Sequence, residues 1–284
     1  MTAAVFIPTL GWSHGGAERW LKIGPFPSFQ PVEFLKFTFV IYFAAWLSWA
    51  KNRVQDFKFG ILPFLIMIII IAGILLKQPD TKSFILIVIT GISMLFVSSV
   101  PVKYILGTIL GALLLFGTLV YSTPYLQERV KTFINPLQDS QGSSYQIQQS
   151  LIALGSGSIF GRGFGQSIQK FSYLPEPQGD SIFAVLGEEL GFVGASLTIF
   201  LYLLFLLRGF HIANRTPDAF SGLLVFGIVI LITAQSFMHI ASVVGVFPLT
   251  GVPLVFMSQG GTSLMVYMMA VGIVLNVSRF KKHI

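Results

Sequence analysis

Long apolar runs, each broken by a few polar or turn-forming residues, dominate the pattern along this chain. A membrane-spanning helix needs about 20 mostly apolar residues. Seven stretches meet that measure, at about 31–50, 58–76, 83–100, 104–121, 182–207, 219–243 and 262–279. None alternates apolar and polar positions with the period of two that marks a half-buried strand. The pattern therefore predicts an all-α, polytopic transmembrane helical bundle of about seven helices. A long connection, about 122–181, separates the fourth helix from the fifth.

Composition sharpens this. Of 284 residues 54% are hydrophobic and 10% charged, with a mean hydropathy of +0.79, whereas soluble domains carry about 25% charged residues. Cysteine is absent, which excludes disulfides and thiolate metal sites. His14, His211, His239 and His283 are scattered and form no helical metal-ligand pair. The net charge of +7 is spread between the apolar segments instead of forming one stripe, so nucleic acid is not a predicted partner.

The basic residues instead orient the bundle. One set of short loops holds Lys51, Arg53, Lys58, Lys103, Arg208, Arg215, Arg279, Lys281 and Lys282; the opposite short loops hold Arg19, Lys22, Lys77 and Lys82. Nine against four predicts a cytoplasmic first set, a cytoplasmic C-terminus and an external 122–181 loop. Arg129, Lys131, Arg162 and Lys170 lie in that long loop, which escapes the charge rule. Seven spans with a cytoplasmic tail place the N-terminus outside. Residues 1–30 hold no leader pattern, and "TAAVFIPTLGW" has the look of the end of a further helix, so an N-terminally incomplete chain is expected. No repeat, soluble domain or low-complexity linker interrupts 1–284, which is expected to be a single membrane domain.

About sixty residues is far more than a bundle connection needs, and such loops are usually functional or disordered. This one is not composed for disorder. Ile147, Leu151, Ile152 and Leu154 recur at helical spacing among Gln146, Gln148 and Gln149, which predicts a short amphipathic helix on the membrane surface. Gly155, Gly157, Gly161, Gly163 and Gly165 then permit tight turns; no strand precedes them, so they form no dinucleotide fingerprint. The loop ends in "SYLPEPQGDSIFAVLGEELG", which sets Glu176, Asp180, Glu188 and Glu189 beside an apolar run. Asp180 has the composition of an N-cap for a helix starting near Ser181. Glu33 and Lys36, three apart on one helix face, make an ion pair. Near the C-terminus "VFPLTGVPLVFMSQGGTS" is apolar but broken by Pro248, Gly251, Pro253, Gly260 and Gly261; a re-entrant segment at about 246–261 is expected, an ordinary long loop being the alternative.

The stretches "GGAERWLKIGPFPSFQPVEFLKF", "LKQPDT", "ERVKTFINPLQDSQGSSYQIQQSLIALGSGSIFGRGFGQSIQKFSYLPEPQGDSIFAVLGEELGFVG" and "VVGVFPLTGVPLVFMSQGGTSL" follow one another as in the SEDS family, the FtsW, RodA and SpoVE proteins of bacterial cell-wall synthesis, which the chain resembles over nearly its whole length. The resemblance implies ten spanning helices in the complete family fold, the first three absent here. It implies a peptidoglycan glycosyltransferase that polymerises lipid II at the outer face of the cytoplasmic membrane, closer to the division-type FtsW branch. "LPEPQGD" is similar to the family motif that ends in its essential acid, which makes Asp180 the implied general base, compatible with a capping role.

Other positions carry over as substrate contacts. "QPVEFLK" resembles the family's "QPSELAK", so Glu33 and Lys36 are expected to border the cavity as well as to pair. Arg19 and Trp20 match its "RW" element: Arg19 is a candidate phosphate grip and Trp20 a candidate groove wall, against a surface arginine and an interfacial tryptophan. Lys170 is a comparable anion contact, Arg129 a weaker one, and Glu176 is either a substrate or cation contact or a solvated loop charge. Glu188 and Glu189 match "EELG" and stand outside the catalytic set, a bundle-facing structural hydrogen bond being at least as good a reading. Gln178, Gly179, Gln259 and Lys82 depart from the commonest family pattern and bear on acceptor geometry. The implied partners are lipid II, a class B penicillin-binding protein and other divisome or elongasome membrane proteins. A divalent cation, Mg2+ or Mn2+, is an open cofactor with no cage visible in the sequence. Two other classes remain as alternatives: a lipid II flippase, which would use the same polar residues as a translocation path, and a catalytically silent scaffold, which would bind the transpeptidase and survive loss of Asp180 unchanged.

Overall fold

The computed structural model describes residues 2–6, 11–14, 17–22, 28–136 and 143–280. Lys281, Lys282, His283 and residues 137–142 of the long loop lie outside the described residues. A 3-10 turn at Thr2–Phe6 precedes strands β1 (Gly11–His14) and β2 (Ala17–Leu21). Helices α1 (Pro31–Ala50), α2 (Leu62–Lys77), α3 (Thr81–Val97) and α4 (Val102–Ser122) follow. The long loop contains α5 (Pro124–Ile134), α6 (Ser143–Ser156) and α7 (Gln169–Ser172), and the chain closes with α8 (Ile182–Arg215), α9 (Ala219–Val243) and α10 (Gly261–Ser278).

The fold is a polytopic helical membrane bundle. By length and apolarity Pro31–Gln55, α4, α8, α9 and α10 can each cross a bilayer. The predicted spans 58–76 and 83–100 form the shorter apolar helices α2 and α3. Their ends move for local reasons: Pro63 fits only the first turn of α2, and Asp80 caps α3 by accepting a hydrogen bond from the Ser83 N–H at 3.3 Å.

Two elements depart from the apolar pattern. Of the expected helix end at 2–12, the described residues 2–6 form one 3-10 turn and Gly11 and Trp12 open β1, which pairs antiparallel with β2 in the register Gly11↔Leu21 and Trp12↔Trp20. The predicted single span 182–207 is broken at Gly191, whose φ of 67° and ψ of −165° are non-helical. The part after the break, 192–215, is about 36 Å long at 1.5 Å per residue, enough to cross the roughly 30 Å hydrocarbon layer alone. The run 182–190 is thereby released for another task.

The backbone divides into two compact units, Met1–Leu110 with Leu206–Ala234 and Gly261–Ile284, and Gly111–Phe205 with Gln235–Gly260. In the first, Phe39 and Phe43 of α1 stack at 5.5 Å and Phe43 meets Phe64 of α2 at 5.4 Å. Leu86, Ile87, Met94 and Leu95 of α3 and Ile228 and Val229 of α9 are buried in the same unit. In the second, Ala153, Leu174, Phe183, Ala184, Tyr202, Ile240, Val243 and Leu254 form one core cluster. Leu174 belongs to the turn that carries Asp180, so that turn is plugged into the core it borders. Leu106, Leu110, Leu113 and Leu114 of α4 are exposed, as on a helix surrounded by lipid.

Candidate active site

The residues before α8 form a tight, internally bonded turn. Pro175 and Pro177 restrict the backbone, and Glu176 takes up a left-handed φ of 48°. The Glu176 carbonyl accepts the N–H groups of Gly179 at 3.1 Å and Ser181 at 3.2 Å. The Ser181 hydroxyl donates to the Pro175 carbonyl at 2.9 Å and accepts from Gln146 of α6 at 3.2 Å. The predicted amphipathic helix is thus present as α6, and one of its glutamines supports the turn.

Asp180 does not cap α8. The helix begins at Ile182, the N–H groups of Ala184 and Val185 bond to the Ser181 carbonyl, and no hydrogen bond or ion pair to the Asp180 carboxylate occurs among the described residues. The half-buried carboxylate stands uncommitted on an ordered support. Glu176 beside it is exposed, as a solvated loop charge is.

A second segment of the same unit fixes the turn from behind. Residues 244–260 contain no regular helix, yet Leu249, Val252, Leu254 and Val255 are buried. Buried irregular backbone needs partners for its polar groups. Polar side chains supply them: Arg129 to the Leu249 carbonyl at 2.5 Å, His239 to that of Val252 at 2.7 Å, Gln235 to that of Pro253 at 3.0 Å, and the Tyr202 hydroxyl to that of Val255. The Ser258 hydroxyl accepts from the Leu254 N–H and donates to the Gly179 carbonyl, both at 2.8 Å, and the Gln259 N–H donates to the Gln178 carbonyl at 2.8 Å. The two residues preceding Asp180 are held by this segment.

The glycine-rich loop is held by the paired glutamates. The Glu188 carboxylate, fully buried, accepts from the Ser167 hydroxyl at 2.6 Å and the backbone N–H groups of Ile168 and Gln169 at 3.1 and 3.3 Å. Glu189 accepts from the Gly165 N–H at 2.9 Å and from Lys170 at 2.5 Å. The break at Gly191 frees backbone groups that the loop uses: Phe192 and Val193 donate to the Ser158 and Ile159 carbonyls at 2.9 and 3.1 Å, and Arg162 and Gly163 donate to the Glu188 and Glu189 carbonyls, both at 3.0 Å. Gly161, with φ of 80°, approaches so closely that a Cβ there would lie 2.1 Å from the Glu189 carbonyl oxygen. Glu188 and Glu189 make structural hydrogen bonds, with the loop at 165–170 in place of the expected bundle-facing partner. Lys170 is drawn into it, its ammonium bonded to Glu189 and to the Gly165 carbonyl at 3.1 Å.

Arg19, Trp20, Glu33 and Lys36 lie in the first unit, whereas Lys170, Glu176 and Asp180 lie in the second. The Arg19 guanidinium donates to the Gln78 and Pro79 carbonyls at 3.2 and 2.6 Å, tying β2 to the turn between α2 and α3. Trp20 is half-buried on β2. The predicted pair is present and wholly buried: Lys36 Nζ lies 2.8 Å from Glu33 Oε1 and 3.0 Å from the hydroxyl of Tyr267 on α10. Sequence reasoning found the pair but not Tyr267. It also missed Gln235, His239 and Ser258, although two polar residues four apart on an otherwise apolar helix were a usable signal. Among the described residues no three histidine, aspartate or glutamate side chains converge as a metal site.

A multi-pass helical membrane protein with a free carboxylate on a braced turn is the class these features define. The chain belongs to the FtsW, RodA and SpoVE family, whose model, described as "Cell cycle protein", matches residues 1–283. It is 41% identical to stage V sporulation protein E of Bacillus subtilis (strain 168) over 279 residues, 98% of this chain and 76% of that protein. It is 38% identical to the probable peptidoglycan glycosyltransferase FtsW of Trichlorobacter lovleyi over 274 residues, 96% of this chain and 72% of the other. Its fold matches a chain of a solved peptidoglycan synthase complex that coordinates polymerization and crosslinking, with a TM-score of 0.80 and 28% identity over all of this chain and 79% of that one. The Thermus thermophilus rod shape determining protein RodA, at 24% identity over all of this chain and 75% of that one, shares the fold with a TM-score of 0.69.

Proposed function

We infer that this chain is a peptidoglycan glycosyltransferase that extends glycan strands from lipid II, with Asp180 as general base. The family and the relatives named for that activity supply the reaction class. The uncommitted Asp180 carboxylate, on a turn braced from two sides, is the observation that carries the residue assignment. The acceptor sugar hydroxyl attacks the anomeric carbon of the donor, forming the new C–O bond. The bond to the pyrophosphate oxygen breaks, its electron pair leaves with the lipid pyrophosphate, and the hydroxyl proton passes to Asp180. Attack opposite the leaving group inverts the anomeric centre. A carboxylate already bonded to backbone amides would be a poorer base, because those bonds stabilise its charged form.

The charge pattern supports a place in a bacterial cytoplasmic membrane with the C-terminus in the cytoplasm and the Asp180 turn on the outer face. Likeness to the peptidoglycan synthase complex supports a class B penicillin-binding protein as partner, and likeness to FtsW proteins supports work at the division septum. Glu176, unpaired among the described residues, is the group beside Asp180 for a substrate contact, and Arg19, Trp20, Glu33, Lys36 and Lys170 complete the candidate set. A divalent cation would reach this site bound to the pyrophosphate. The test is incubation of the purified protein, together with a class B penicillin-binding protein, with labelled lipid II. Glycan polymer on a gel is the expected product; movement of lipid II across vesicles with no polymer formed would contradict the assignment.

A further inference from the structure

His239 lies on α9, thirteen residues before Val252, whose carbonyl it holds, and the proposed chemistry assigns it no part. It is 1% exposed, and its Nδ1 sits 2.7 Å from the Val252 carbonyl oxygen. A carbonyl only accepts, so Nδ1 is a protonated, donating nitrogen. Nε2 is buried and has no hydrogen-bond partner among the described residues. A native buried polar atom left without a partner asks for a reason.

The reason lies in what surrounds it. Gln235, one turn earlier on α9 and 0% exposed, holds the next carbonyl, that of Pro253, at 3.0 Å. The pair fixes two successive peptides of an irregular segment. Leu254, the residue after them, donates its N–H to Ser258, and Ser258 with Gln259 holds the carbonyls of Gly179 and Gln178. A path of hydrogen bonds joined by the backbone of Val252–Leu254 therefore runs from His239 to the residue beside Asp180.

We propose that His239 is a positioning residue for the glycosyl transfer: through Val252 and the Ser258–Gly179 contact it sets where Asp180 stands. The inference rests on the assignment of Asp180 as base and adds the group that orients it. A positioning role acts on the rate of the chemical step more than on substrate binding.

The test compares kcat and KM for labelled lipid II in the parent, His239→Leu, His239→Asn and Ser258→Ala, with Asp180→Asn alongside, each normalised to folded protein by thermal unfolding. His239→Leu removes the donor, and its kcat is expected to fall at least about tenfold with KM within about twofold. His239→Asn keeps an N–H donor for Val252 and is expected to return kcat to within about threefold of the parent. Ser258→Ala breaks the same path at its other end and repeats the kcat loss, which tests the inference even if His239→Leu fails to fold. A folded His239→Leu or Ser258→Ala with parental kcat overturns the proposal, as does His239→Asn folded but as slow as His239→Leu. If Asp180→Asn polymerises like the parent, the base assignment itself has failed; if it is inactive while His239→Leu is intact, only the positioning role has.

Discussion

Replacing Glu188 by alanine should loosen the glycine-rich loop far more than replacing the cation that pairs with it. Arg162 lies 3.4 Å from the carboxylate, but its side chain is 40% exposed. Exposed ion pairs contribute about 0–1 kcal/mol, so Arg162→Ala should cost at most that. The Ser167 hydroxyl and the N–H groups of Ile168 and Gln169 are the decisive partners, because they bond to a buried charge. Hydrogen bonds to charged groups contribute about 1.5–3 kcal/mol each, and contributions within one network do not add fully. A local loss of about 3 kcal/mol is the result for Glu188→Ala. At 1.4 kcal/mol per factor of ten, this is roughly a hundredfold in the opening equilibrium of the loop. Amide hydrogen exchange followed by mass spectrometry on peptides covering 165–170 reads it directly. Protection there should fall about a hundredfold in Glu188→Ala and less than about fivefold in Arg162→Ala. Unchanged protection in Glu188→Ala, or equal losses in both variants, would refute the reasoning.

Gly161→Ala should destabilise the chain by about 2–4 kcal/mol in detergent unfolding, from left-handed strain plus collision with backbone. Gly165→Ala, with the same φ of 80° but open space at the Cβ position, should cost only about 1 kcal/mol; equal losses would show that the close approach to Glu189 is not what constrains Gly161. Lys36→Met leaves Glu33 buried without its cation and should cost about 3–5 kcal/mol, while Lys36→Met with Glu33→Gln should recover a large part. Unfolding midpoints of the two single variants and the double variant decide it, and strict additivity would sink the pairing argument.

The spans were legible because lipid imposes a simple rule: a helix must be long and apolar, and α1, α4, α9 and α10 announce themselves by that alone. The break inside α8 was hidden, since Gly191 sits in an apolar run and its left-handed φ follows from contacts with Ser158 and Ile159 more than thirty residues away in sequence. Glu33 and Lys36 could be paired from spacing on one helix, but Tyr267, 231 residues from Lys36, could not. The acidic residues illustrate the same limit. Glu188, Glu189 and Asp180 are alike as letters, and only the fold shows that two are consumed by the loop while the third is left free. The place of Asp180 before a helix makes an N-cap the alternative to a catalytic role; the helix starts at Ile182, and its first carbonyl acceptor is that of Ser181. His239 is one of four scattered histidines with no ligand partner at helical spacing, and its partner in the fold is a backbone carbonyl.

Asp180 is a carboxylate that contributes to chemistry and not to the fold. Asp180→Asn tests both halves in one protein, with glycan polymer from labelled lipid II and the unfolding midpoint measured on the same preparation. The carboxylate bonds to nothing among the described residues, so stability should stay within about 0.5 kcal/mol of the parent, as for substitutions away from structural features. Polymer formation should be abolished. A variant that still polymerises at the parental rate, or one that loses activity only because it no longer folds, would contradict the central claim.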